Sequence, residues 1–101
     1  MIHVIAAIHV REGRMADFLE IFKANVPLVL QEKGCREYVP TIDMGSGFAA
    51  QKLDGNVVTV IEKWDSLEDL QAHMKVAHMV SYHEKTRDIV ENVNLKVLTA
   101  A

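Results

Sequence analysis

IHVIAAIHV, residues 2–10, repeats with a period of two. Ile2, Val4, Ala6, Ile8 and Val10 form one wholly apolar set, and His3, Ile5, Ala7 and His9 form the other. Successive side chains of a strand point to opposite faces, so the stretch reads as a strand with one clean apolar face and one mixed face. A strand of this kind is covered on both sides, and Glu12-Gly13 close it. The rest of the chain has to supply the two covers.

From Arg14 to Lys33 the period changes to that of a helix, with Phe18, Ile21, Phe22, Val26, Leu28, Val29 and Leu30 recurring at helical spacing and Gly34 as the stop. Pro27 lies inside this run and predicts a kink or one lost backbone hydrogen bond, not two helices. CREYVPTID, 35–43, reads as a second strand, with Pro40 marking an edge or a bulge. MGSG is a loop, FAAQKL predicts a short extra strand, and Asp54-Gly55-Asn56 signals a hairpin turn. Val57 to Trp64 is the strongest strand of the chain. Ser66 caps a helix with Glu68 and Asp69 in its first turn, broken near Lys75-Val76 and running to about Asn92, and Asn94 to Thr99 is the last strand.

The order βαββαβ predicts a ferredoxin-like α+β domain over residues 1–101, an antiparallel sheet with both helices on one face. If the helices cover the His3/Ile5/Ala7/His9 face, the Ile2/Val4/Ala6/Ile8/Val10 face needs a second copy of the sheet. A homodimer packed through that face is therefore expected.

At 101 residues, half of them apolar and a quarter charged, the chain suits one core. A formal net charge of −3 argues against a nucleic-acid footprint, which needs a basic face. The N-terminal apolar run is too short to span a bilayer and has no basic flank, so no membrane role is expected and the cytoplasm is the default. The lone Cys35 fits a reducing compartment.

His73, His78 and His83 stand five residues apart. On a continuous helix that spacing turns the side chain by about 140° net each time, so the rings would point three ways. Metal pairs on helices use i,i+3 or i,i+4 spacing, so no metal is expected. Met74, Met79, Tyr82, Thr86 and Val90 form a stripe of apolar bodies with polar tips, and Glu62 and Trp64 share a strand face. Trp, Tyr, Met and one or two imidazoles make a small-molecule pocket, or equally a core.

Four stretches resemble the antibiotic biosynthesis monooxygenase family, nearest its bacterial quinol monooxygenase branch. They are VIAAIHVREGR at 4–14, VPLVLQEKGCREYVPTID at 26–43, VTVIEKWDSLEDLQAHMKVAHMVSY at 58–82 and the closing NLKVL, in order along nearly the whole chain. The resemblance implies a ferredoxin-like protomer in a dimeric α+β barrel. It also implies oxidation by O2 of a small electron-rich aromatic, such as a dihydroquinone, without metal, flavin or haem. By the same resemblance Glu62, Trp64, His73, His78 and Tyr82 fall in or around the pocket.

The chemistry suits these residue types, because a hydroquinone must lose a proton before it readily gives an electron to O2. His73, His78 and Tyr82 are the expected catalytic residues, and Glu62, Trp64, Met74, Met79 and His83 the expected substrate contacts. His73 is the expected base: it follows Trp64 by nine residues, so its ring folds back over the Glu62/Trp64 face, with Leu70 and Ala77 on its own stripe. His78 comes second, and His83 is mostly structural. The haem-degrading branch fits less well, since its pocket asparagine position is Ala7 here and its tryptophan position is His73. An autoinducer-type isomerase and a non-catalytic quinone-binding dimer are the other readings of the same fold.

Overall fold

A computed structural model describes all residues, 1–101, with the order β1 (Ile2–Val10), α1 (Met15–Leu30), β2 (Cys35–Thr41), β3 (Val57–Trp64), α2 (Leu67–His73), α3 (Ala77–Thr86) and β4 (Val90–Leu98). The four strands form one antiparallel sheet in the order β2-β3-β1-β4, with the helices on one side, so the fold is the ferredoxin-like α+β expected. β2 is an edge strand and accommodates Pro40 without losing an inner ladder bond. Register follows side-chain chemistry: Ala6 pairs with Val60 and Leu95, and Tyr38 pairs with Glu62.

Which face of β1 meets the helices is the reverse of the expectation. Val4, Ala6, Ile8 and Val10 are buried in the core beneath the helices, whereas His3, Ile5, Ala7 and His9 are only partly buried on the far side. The helices take the wholly apolar face because covering it removes more apolar surface and strands no imidazole. His9 is thereby free to meet the Asn94 amide at 3.2 Å on the open face. A homodimer through the Ile2/Val4/Ala6/Ile8/Val10 face is ruled out, since Val4, Ala6, Ile8 and Val10 of that face are already buried in this chain's own core.

Three element boundaries also differ. FAAQKL forms no strand; residues 42–56 are an irregular connection, and Asp54-Gly55-Asn56 turns only its end, where Asp54 Oδ1 accepts from the Asn56 N–H at 2.9 Å. The final helix stops at Thr86, and β4 begins at Val90 instead of Asn94, because its ladder with β1 captures those residues. α1 remains one helix through Pro27.

Two local signals place the helices over the sheet. Ser66 Oγ accepts the Asp69 N–H at 3.1 Å and starts α2. Gly34 has φ +80°, and a Cβ there would run into the Asp69 carboxyl, so glycine lets the α1–β2 turn lie against α2.

Candidate active site

The second helical layer is two pieces, and the site lies at their joint. α2 ends at His73, residues 74–76 turn, and α3 begins at Ala77. On one continuous helix His73 and His78 would diverge; across this break both reach the same carboxylate. Glu32, just after α1, accepts from His73 Nδ1 (2.9 Å to Oε2, 3.1 Å to Oε1), and its Oε2 lies 3.1 Å from His78 Nε2. The His73 contacts are hydrogen bonds, so Nδ1 carries the proton between ring and carboxylate, whereas the His78 contact is an ion-pair approach without a hydrogen bond. No group of three or more His, Cys, Asp or Glu side chains is arranged to hold a metal ion.

His73 is only 2% exposed. Its ring lies over the inner face of the sheet, with centroids 4.7 Å from Trp64 and 5.6 Å from Tyr38. Behind it Trp64 Nε1 donates to Glu62 Oε1 at 2.9 Å, which pairs the one buried indole N–H with the one buried carboxyl. Phe22 stacks nearly parallel on Tyr38 at 5.5 Å and meets Tyr82 edge-on at 5.7 Å. The aromatic rings thus form a wall that runs from α1 across to α3.

Between this wall and β1 and β4 lies a cavity of about 670 Å3, mostly apolar in its lining. That is within the ~300–1,000 Å3 usual for small-molecule sites. Ala6 and Ile8 floor it, Phe22 and Met79 flank it, and Val93 and Leu95 form its outer lip. Its polar groups are His73, Glu62, Tyr38 and Tyr82, with His83, Glu84, Thr86 and Arg87 also lining it on the α3 side.

Burial sets the protonation of these groups. Loss of solvent holds the His73 imidazole below its ordinary value, although the Glu32 carboxylate pulls the other way. Glu62 is raised, chiefly by burial, with the indole hydrogen bond opposing. Burial also pushes both phenols, Tyr38 and Tyr82, well above the usual range, so they remain O–H donors at neutral pH. Cys35 is pushed up to about 11 by burial and the nearby Glu32 and Glu62 carboxylates, which leaves it a thiol.

Among the residues singled out from sequence, His73, Glu62, Tyr82, Met74, Met79 and His83 line the cavity. Met79 is buried and its sulfur accepts from Asn25 Nδ2 at 3.4 Å, whereas Met74 and His83 are exposed at the edge. Trp64 is fully buried behind Glu62 and His73 and does not reach the cavity. His78 lies outside it, on a smaller groove between α1 and α3 beside Asn25 and Ser81. Sequence reasoning missed Glu32 and passed over Tyr38 and Phe22 as site residues. Glu32 is 41 positions from His73, and no spacing rule links them.

The arrangement is that of a ferredoxin-like protein with a closed-backed, mainly apolar pocket and one carboxylate-held imidazole. Comparison with known proteins agrees. The sequence profile of the family described as "Antibiotic biosynthesis monooxygenase" matches residues 1–85. The chain is 35% identical over 100 residues to the Escherichia coli K12 protein named "Probable quinol monooxygenase YgiN", covering 97% of this chain and 96% of that one. Its fold is similar to that of a conserved protein from Methanosarcina mazei Go1, with a TM-score of 0.85 at 17% identity over 99% of this chain and 92% of the other. It is similar too to PA3566 from Pseudomonas aeruginosa, with a TM-score of 0.83 at 21% identity over 99% and 93% of the two chains. The protein belongs to the antibiotic biosynthesis monooxygenase family, and a monooxygenase-type oxidoreductase function follows from that membership. No helix is long and apolar enough to cross a membrane.

Proposed function

We propose that the protein oxidises a small electron-rich aromatic, of the dihydroquinone type, with O2 and without a cofactor, and that His73 is the base that starts the reaction. The observation that carries this reading is a buried imidazole, engaged at Nδ1 by Glu32, on the wall of an apolar cavity. Its free nitrogen, Nε2, takes the first phenolic proton, because an imidazole held neutral at pH 7 is a competent acceptor. The phenolate formed is the electron donor to O2. Overall, a dihydroquinone and O2 give a hydroxyquinone and water, with one oxygen atom entering the ring in place of hydrogen and the other leaving as water.

The remaining groups orient and shield. Tyr38 and Tyr82, kept as O–H donors by burial, hydrogen-bond the substrate oxyanion. Glu62 accepts from the second hydroxyl, and Phe22, Met74 and Met79 pack on the ring and exclude water. Trp64 supports Glu62 from behind, and His83 touches substrate at the edge. The reading includes a homodimer, formed through the sheet face away from the helices, where Ile5, Ala7, Val39 and Ile61 share a patch that this chain's helices do not cover. A free cysteine and this chemistry suit the cytoplasm.

The test is oxygen consumption with a panel of dihydroquinones and hydroxynaphthalenes, read against the uncatalysed rate. Turnover by the wild-type protein, cut roughly 10²–10⁴-fold in a folded His73→Ala variant, is expected, the usual worth of a positioned general base. Tight ligand binding with no oxygen uptake would make the protein a carrier of such aromatics. An unchanged rate and pH profile in His73→Ala would remove His73 from the mechanism.

A further inference from the structure

His73 has an unusual support. One carboxylate, Glu32, serves two imidazoles: both its oxygens lie within 3.1 Å of His73 Nδ1, and Oε2 lies 3.1 Å from His78 Nε2. Glu32 is nearly buried, with a side chain 11% exposed, so its hydrogen bonds are not diluted by water. The partner decides the tautomer. A carboxylate only accepts, so His73 carries its proton on Nδ1 and leaves the Nε2 lone pair bare. His78 Nε2 lies beside Oε2 at ion-pair distance without a hydrogen bond, and its Nδ1 is buried with no hydrogen-bond partner.

We propose that Glu32 is the positioning residue of this site, holding His73 in the tautomer that presents Nε2 to the cavity and balancing the charge that forms when Nε2 takes a proton, with His78, 3.1 Å from the same carboxylate, as a second imidazole that opposes that charge. This rests on the reading of His73 as the base. A carboxylate behind an imidazole acts in this way when it fixes the ring and stabilises the imidazolium without itself taking the proton. The second histidine makes the arrangement adjustable. Glu32 cannot fully neutralise two imidazolium ions, so each positive charge on one ring weakens the hold on the other. The charged and titratable groups around the pair are Cys35 and Tyr38 on β2, Glu62 on β3, and His78 and His83 on α3. Glu32 favours the protonated form of His73, and of the surrounding groups His78 and His83 oppose it.

The decisive measurement is the titration and tautomer of the His73 ring, followed by nitrogen-15 NMR in the wild-type protein, Glu32→Gln and His78→Gln. Above its pKa, wild-type His73 should be protonated at Nδ1 and bare at Nε2. Glu32→Gln should lower the His73 pKa further, and His78→Gln should raise it. A merely structural role predicts another pattern: loosening the site admits water and moves His73 up toward its ordinary value in both variants. In oxygen-uptake assays Glu32→Gln should lose kcat rather than raise KM, by up to ~10⁴-fold, the effect of exchanging such a carboxylate for its amide. Glu32→Asp should recover part of the loss. A wild-type His73 protonated at Nε2, or a His73 pKa that stays or rises in Glu32→Gln, overturns the assignment, and the first of these needs no variant to fold. If the wild-type protein consumes no oxygen with any dihydroquinone, the enzymatic reading falls, and the titration still decides the role of Glu32.

Discussion

Two halves of the same sheet face carry the same kind of residue and meet different fates. On β3, Val58, Val60 and Trp64 are sealed under the helices, with at most 1% of each exposed. On β4, Val93, Leu95 and Val97 point to the same side, next to Ala6 and its neighbours, and are 51%, 48% and 45% exposed. The difference lies in the helical layer, not the strands. α1, α2 and α3 reach over β2, β3 and β1, and the fourth strand extends past their edge. The cavity opens where that layer ends: the small Ala6 leaves room on β1, and Val93 and Leu95 form an uncovered lip. A site here costs the fold little, because the sealed half supplies the stability and the open half supplies the access.

This contrast can be tested by substitution. Phe18, fully buried against Phe22 and Tyr82, belongs to the sealed half, so Phe18→Ala should cost about 3–5 kcal/mol in denaturant unfolding. A loss much below that range would mean that the core under α1 is looser than the packing indicates.

Glu62 lies at the boundary between sealed core and cavity. Its folded pKa is raised, so the folded protein binds this proton more tightly than the unfolded chain does. Its contribution to stability is therefore present below the ordinary carboxylate range and is lost as pH rises through the folded pKa. Glu62→Gln removes that loss. The variant should melt higher than wild type at pH 7 and show little advantage at pH 4. Equal melting shifts at both pH values would show that Glu62 is not desolvated.

Ser66→Ala removes the oxygen that accepts the Asp69 N–H and should destabilise the protein by about 1 kcal/mol, as loss of an N-cap does. Because α2 carries His73, the same variant should also lower turnover, and a stability loss with wild-type turnover would mean that the joint after α2 holds His73 without the cap. The smallest effect is expected on the lip. Leu95→Ala should cost under about 1 kcal/mol, since half the side chain is already in water, while raising KM for an aromatic substrate. A loss as large as that of Phe18→Ala would show that something covers β4 in solution, and the comparison between the two halves would no longer hold.

Much of the fold was legible in the residues. Alternation in 2–10, helical spacing after Arg14, the Ser66 cap and the break near Lys75 each follow from local geometry, and each is present. The face assignment of β1 was misread because alternation tells which residues share a side and not which side a helix will choose. The β4 boundary was misplaced because Val90 to Val93 became strand only by pairing with β1. In the site, His73 was legible from its distance to Trp64, but its partner was not.

The amino-acid sequence by itself determined the element order, the two faces of β1, the restriction of Pro40 to an edge or a bulge and the presence of an imidazole near the Glu62/Trp64 strand end. These depend on periods of two and of 3.6, on caps and on backbone restrictions, all of which act over a few residues. Only the tertiary structure decided that the apolar face lies under the helices, that β4 extends beyond them, and that His73 and His78 share Glu32. The reason is physical: a helix break of three residues redirects two side chains, and a carboxylate 41 positions away reaches them only after α1, α2 and α3 have packed on one sheet.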